Sequence, residues 1–175
     1  PGFRDIATGL AVDIGSTTIA AHLSSLLSGQ VIASSGASNP QIRFGEDLMS
    51  RVSYVMMNPD GREAMTKAVR EAISLLIGQV CGEAGVSADE IVEAVFVGNP
   101  IMHHLLLGID PTPLGSAPFA LATASRIEMP AIDIGLHGHP EARLYTLPLI
   151  AGHVGADTTA AVLSEAPHRS DDIQL

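Results

Sequence analysis

The sequence predicts a mixed α/β domain built on a central sheet, and three observations lead to this fold class. Apolar runs with strand-like spacing fill residues 9–38 and are joined by short turns. Helical periodicity then replaces them over residues 45–83. Two later apolar runs, at 91–99 and 143–152, are each followed by a helical segment. This order is typical of a mixed sheet flanked by helices.

The first three strands should form an antiparallel meander. The run "LAVDI" within residues 9–14 is nearly continuously apolar, as expected of a central strand. Strands over 18–27 and 30–38 follow, and Gly29 lies in the turn between them. A dinucleotide-binding unit would place a helix directly after the first strand, so that fold is disfavoured.

Two helices should follow the meander. The segment 45–57 has apolar residues at helical spacing and begins with Glu46 and Asp47, whose charges favour a helix N-terminus. A break at 58–61 separates it from a long amphipathic helix over 61–83. The apolar stripe of that helix consists of Met65, Val69, Ile73, Leu76 and Val80.

A second strand–helix unit is predicted after the long helix. Residues 87–90 make a short helical turn, and 91–99 form a buried strand. The next helix, 100–108, begins at Pro100 and stops at Gly108, in agreement with the usual positions of these two residue types.

Residues 109–142 are rich in proline and glycine, and they predict an irregular excursion over the surface. The chain should return as a strand over 143–152 and a helix over 156–166. The last five residues, 171–175, have a composition that could begin another strand.

Composition and charge limit the class of protein. The 175 residues are 46% hydrophobic, which suffices for the core of one domain or lobe. The net charge of −10 would repel phosphate backbones and anionic lipid, so neither nucleic acid nor a membrane is an expected partner. With no membrane span or signal peptide visible, a cytoplasmic location is expected. Because the first residue is Pro1, we expect a fragment or a processed piece.

The hexapeptide "DIGSTT", residues 13–18, interrupts the first hairpin with polar groups. Asp13 lies at the tip of a buried strand, where its carboxylate can hold Mg²⁺ through water molecules. The turn that follows can form a concavity for anionic oxygens. Its amides and hydroxyls come from Gly15, Ser16, Thr17 and Thr18. The alternative is a hairpin turn in which Asp13 only caps backbone amides.

Further candidate residues follow two other strands. In "AGHVGAD", Gly152, Gly155 and Asp157 could face a nucleotide, with Asp157 reaching Mg²⁺ or an attacking water. The alternative is that the glycines form a turn and Asp157 stabilises a helix start. Asn99, after a buried strand, could face the ligand crevice or could only form a turn.

Four separated blocks carry a resemblance to known proteins. "GLAVDIGSTTIA", residues 9–20, resembles the first phosphate motif of the acetate kinase, sugar kinase, heat-shock chaperone and actin (ASKHA) superfamily. The blocks 39–52, 97–119 and 147–161 resemble the reductive activators of corrinoid-dependent proteins. The resemblance covers nearly all of residues 8–175 in family order.

The resemblance implies an actin-like, ribonuclease H-like ATPase lobe that binds ATP and Mg²⁺. In this family ATP helps a low-potential electron to reach Co(II) in the corrinoid of a partner protein or methyltransferase, giving Co(I). The electron comes from a [2Fe-2S] ferredoxin-like domain that precedes the ATPase domain. No cysteine array is present here, so we expect that domain upstream, with residues 1–7 as a linker. A second phosphate loop is expected after residue 175, which makes residues 8–175 a first lobe only. A homodimer is compatible with the family.

Three other interpretations remain open at this point. A non-catalytic docking module for the corrinoid protein would use the excursion 109–142 as its contact surface. An activator of 2-hydroxyacyl-CoA dehydratase type would need cysteines in this domain, and Cys81 alone fits that poorly. A metallohydrolase would use histidines, but neighbours such as His103 and His104 point about 100° apart on a helix.

Overall fold

The computed structural model describes residues 7–165 and confirms the mixed α/β fold class. Six strands form one sheet: β1 Thr8–Ile14, β2 Thr18–Ser25, β3 Val31–Ser38, β4 Ile91–Gly98, β5 Ile127–Pro130 and β6 Arg143–Thr146. Their order in the sheet is β3-β2-β1-β4-β6-β5. The α-helices of this part of the chain are α1 Leu48–Met57, α2 Gly61–Ala84, α3 Pro100–Leu107 and α4 Ala156–Glu165.

The antiparallel meander is confirmed. Strand β1 pairs antiparallel with β2, which places Asp13 opposite Ala20, and β2 pairs antiparallel with β3. On its other side β1 pairs in parallel with β4, so that Asp13 lies beside Val97. The carboxyl ends of β1 and β4 therefore meet at one edge of the sheet, where the loops that follow them come together.

Strand β1 divides its residues between two faces of the sheet. Val12 and Ile14 are buried with the apolar stripe of α2, whereas Ala11 and Asp13 are exposed. Because side chains alternate along a strand, Asp13 projects from the face opposite to α2. All five predicted stripe residues of α2 are at most 1% exposed. The packing of α2 thus fixes which face of the sheet remains available for a ligand.

The first predicted helix begins later than expected. Residues Pro40–Phe44 form a 3-10 helix, and α1 starts only at Leu48. Asp47 precedes α1 as its N-cap, and its carboxylate accepts a hydrogen bond of 2.7 Å from the Ser50 N–H. That bond lowers the pKa of Asp47. Asp47 therefore stabilises the helix start through a specific hydrogen bond rather than as a charge within the first turn.

The prediction that 109–142 is irregular throughout is wrong at three short elements: the 3-10 helices Thr112–Gly115 and Ala131–Ile134, and strand β5. Strand β5 lies within this excursion and pairs antiparallel with β6 at the edge of the sheet. Strand β6 ends at Thr146 instead of continuing to 152, and Pro148 follows two residues later. Helix α4 starts at Ala156 as expected. Residues 171–175 lie outside the described part of the chain.

Within residues 7–165, no helix has the length and apolar character needed to cross a lipid bilayer.

Candidate functional site

The turn between β1 and β2 closes through Gly15. Its N–H donates a 2.9 Å hydrogen bond to the Thr18 carbonyl. A Cβ at this position would lie 2.7 Å from the same carbonyl oxygen, which is closer than any side chain tolerates. Glycine is thus required by the close approach, and its amide is used within the turn rather than being available to a ligand.

Two buried side chains hold the next carbonyls of the turn from the core side. The Asn39 amide donates to the Gly15 carbonyl at 2.8 Å, and the Arg51 guanidinium donates to the Ser16 carbonyl. Asn39 is 1% exposed and Arg51 is completely buried. The Gly15 and Ser16 carbonyls therefore point into the protein.

The opposite side of these two peptides presents their N–H groups. The carbonyl and the N–H of a trans peptide point in opposite directions, and the cis bond of the described chain is at Ala117–Pro118. The N–H groups of Ser16 and Thr17 therefore project away from the core, and neither donates to an acceptor among residues 7–165. Two consecutive outward amides can together donate hydrogen bonds to an anionic oxygen. Thr17 and Thr18 are exposed beside it.

Backbone-to-backbone contacts bring two further segments to this turn. A Cβ on Gly98 would lie 2.8 Å from the Ile14 carbonyl, and one on Gly155 would lie 2.4 Å from the Gly98 carbonyl. The ends of β1 and β4 and the start of α4 are thus stacked without intervening side chains. These contacts place Asp13 near Asp157, which lies in the first turn of α4.

The two carboxylates interact electrostatically. Partial burial raises the pKa of Asp13, the charge of Asp157 raises it further, and His22 acts in the opposite direction. Such a pair, close to outward amides, suits Mg²⁺, which is usually bound by one or two carboxylates together with phosphates and water. Among residues 7–165 no three His, Cys, Asp or Glu side chains come together as a metal site, so the metallohydrolase interpretation has no support there.

Asn99 and Gly152 have structural partners of their own. The Asn99 side chain accepts a 3.1 Å hydrogen bond from the Met102 N–H and so caps α3. A Cβ on Gly152 would lie 2.4 Å from the carbonyl oxygen of Phe119, in the excursion. Asn99 and Gly152 therefore have structural roles at a helix start and at a close backbone approach. That either residue contacts a ligand stays a prediction.

Comparison with known proteins assigns the chain to a family. The model of the RACo middle region matches residues 8–170. The chain belongs to the RACo middle region family. The corrinoid activation enzyme RamQ of Eubacterium limosum is 36% identical over 155 residues, which cover 89% of this chain and 26% of the relative.

A solved structure shares the fold of this RACo middle region. The reductive activator for corrinoid, iron-sulfur protein superposes with a TM-score of 0.94 at 40% identity, covering 98% of this chain and 27% of that one. The RACo middle region therefore spans about a quarter of the length of the relatives that it matches. A Ppx/GppA family protein of Aquifex aeolicus, with a TM-score of 0.27, is too dissimilar to bear on the fold.

Sequence reasoning missed the two residues that support the turn from below. Arg51 stands one residue before the buried Val52 on α1, and a cation on the apolar side of a helix was the available signal. Asn39 follows a strand and reads as an ordinary turn residue. Its bond to Gly15 spans 24 positions, so local spacing does not reveal it.

Proposed function

We propose that this RACo middle region is the ATP-binding lobe of an activator that helps to reduce Co(II) to Co(I) in a partner corrinoid protein. The observation that carries the proposal is the pair of outward amides at Ser16 and Thr17 beside Asp13 and Asp157. The printed names of the two relatives, a corrinoid activation enzyme and a reductive activator, support the corrinoid partner.

Each site residue has a proposed task. The Ser16 and Thr17 amides and the Thr18 hydroxyl bind phosphate oxygens, and Asp13 orients the waters of Mg²⁺. Asp157 assists at the metal or orients the attacking water. Mg²⁺, when bound, neutralises the phosphate charge. The glycines at 15 and 155 let the backbone approach closely, and Asn99 and Gly152 line the surrounding crevice.

The proposal places the remaining machinery in other parts of the full-length protein. In this proposal residues 8–175 belong to a first lobe, and a second lobe completes the nucleotide site. A [2Fe-2S] domain joined through residues 1–7 delivers the electron. Residues 1–6 and 166–175 lie outside the described part of the chain. The activator would act in the cytoplasm, and a homodimer is compatible with this arrangement.

The test is a titration of the full-length protein, in which only the residues of this chain carry ¹⁵N, with MgADP and with the slowly hydrolysed MgATPγS, followed by amide chemical shifts. We expect the largest changes at residues 13–18 and 155–157. A titration with Mg²⁺ alone is the control and should affect mainly the surroundings of Asp13 and Asp157. Nucleotide-dependent shifts confined to other surfaces, or none at all, would contradict the proposal.

A second candidate, a docking module, rests on the excursion. Phe119 has a left-handed φ of 56° and is 37% exposed, and its ring lies 4.4 Å from that of His153. Backbone strain of this kind is concentrated at functional sites. A module that only docks the corrinoid protein would bind it without nucleotide, and Phe119→Ala would weaken that binding. MgADP would then leave the amide chemical shifts of residues 13–18 unchanged.

A further inference from the structure

The buried cation beneath the turn is an unusual feature of this fold. Arg51 is completely buried, and its Nε donates to the Gly45 carbonyl at 2.9 Å. One terminal nitrogen lies 3.2 Å from the Met102 sulfur, and the other binds the Ser16 carbonyl. No carboxylate among residues 7–165 forms an ion pair with it. Asp47 acts on Arg51 electrostatically without forming an ion pair, so the buried charge is only partly compensated, which is unfavourable.

The position of this charge affects one peptide in particular. A cation bound to the Ser16 carbonyl polarises the peptide group, and the Thr17 N–H of the same group becomes a stronger donor. Asn39 fixes the preceding peptide in the same way but carries no charge. Thr17 N–H is therefore the outward amide best prepared to meet an anion.

We propose that Arg51 is a positioning residue for the bound nucleotide, which acts through the Ser16–Thr17 peptide. It holds the peptide so that the Thr17 N–H faces the phosphate, and it strengthens that donor. The phosphate in turn adds negative charge near a buried cation that Asp47 compensates only in part. This inference rests on the proposed function, because it specifies how the same site recognises phosphate.

The chain offers a matched control at Arg70. Its Nε donates to the Leu106 carbonyl at 2.9 Å, and burial lowers the pKa of Arg70 as it lowers that of Arg51. Leu106 lies near the C-terminal end of α3, whereas Asn99 at the N-terminal end borders the site. Arg70→Met thus removes a comparable arginine–carbonyl contact from a place remote from the turn.

The experiment compares the full-length wild-type protein with its Arg51→Met, Arg51→Lys and Arg70→Met variants. The dissociation constant for MgADP is measured by calorimetry, and the Thr17 amide proton shift is measured without nucleotide. For Arg51→Met we expect affinity to fall by about 10- to 100-fold, the range for a hydrogen bond to a charged group. The Thr17 proton should move upfield, since its donor is less polarised. Arg70→Met should change the affinity less than about twofold.

The outcomes separate the two proposals. If the full-length wild-type protein does not bind MgADP, the proposed function is wrong, and this inference is wrong with it. If the wild type binds and a folded Arg51→Met binds equally well, the inference alone is overturned. If Arg51→Met does not fold, Arg51→Lys decides, because an ammonium cannot reproduce the two-carbonyl contact. A loss of several-fold with a shifted Thr17 proton supports the inference, and wild-type affinity overturns it.

Discussion

At the scale of single residues, Asp13 combines an unfavourable charge with a proposed role in binding. Its folded pKa is raised above the ordinary 3.8, so the folded chain holds more protons than the unfolded chain between the two values. Stability is consequently lost as pH rises through that window, and at neutral pH the ionised group is destabilising.

We therefore expect Asp13→Asn to raise the Tm at pH 7 by about 1–3 °C while removing the stabilisation by Mg-nucleotide. Thermal unfolding with and without MgADP measures both effects. A variant that unfolds at lower temperature would show that Asp13 is a structural cap. A variant that is still stabilised by MgADP would show that the carboxylate does not serve the ligand.

Gly15 offers a second test at this scale. In Gly15→Ala the added carbon would lie 2.7 Å from a backbone oxygen, which cannot move aside as a flexible side chain would. We expect a loss of about 2–3 kcal/mol in the free energy of unfolding. The matched control is Gly78→Ala in α2, where the new methyl meets no atom within 4 Å. Helix propensity should make that variant more stable by about 0.5–1 kcal/mol in urea denaturation.

At the scale of elements, the contact between α3 and β6 makes stability depend on pH. His103 of α3 is 4% exposed, and its Nε2 lies 3.0 Å from the Thr146 hydroxyl of β6. Its Nδ1 has no hydrogen-bond partner among the described residues. Burial, assisted by His104, lowers the pKa of His103 from 6.5 to about 4. The folded state thus keeps the imidazole neutral in a range where the unfolded chain takes up a proton.

The free energy of unfolding should consequently fall by about 3 kcal/mol as the pH drops from 6.5 to 4. Urea denaturation at several pH values measures this loss. In His103→Leu the free energy of unfolding should change less with pH over the same interval. The change that remains comes from His104, whose pKa burial also lowers. His137→Leu, a substitution at an exposed histidine, should leave the profile as in the wild type. An unchanged slope in His103→Leu would refute the assignment.

The elements also show what a sequence can and cannot predict. Helix α2 was predictable because its apolar stripe repeats over 24 residues. Strand β5 was not, because its four residues lie in a proline- and glycine-rich region and become a strand only by pairing with β6. The polar interruption of the hairpin at 13–18 was visible in the sequence, but local chemistry left open whether Asp13 serves a ligand or only caps the turn. Asn39 and Arg51, which hold the carbonyls of this turn, were not predictable, because their hydrogen bonds to it are tertiary contacts. Hydropathy, moreover, predicts that an arginine lies on the surface.

At the scale of the whole molecule, the proposed site is open on one side. The outward amides and Asp13 face solvent, and only the core side of the turn is covered by protein. Water then competes for the phosphates, and Asp157 without the second lobe would have to align an attacking water in an open site. We expect the isolated chain to hydrolyse ATP at least about a hundredfold more slowly than the full-length protein. Phosphate release measures both rates, and comparable rates would show that the chain already contains a complete site.

The stacked glycines have a mechanical consequence. Where Gly155 lies on Gly98 and Gly98 lies on Ile14, main chain rests on main chain, and no rotamer change can absorb a displacement. Elsewhere in the fold, a helix that shifts is cushioned by the side chains beneath it. We therefore expect the start of α4, the end of β4 and the strand that carries Asp13 to move together. A tilt of α4 should then displace the Asp13 carboxylate as well.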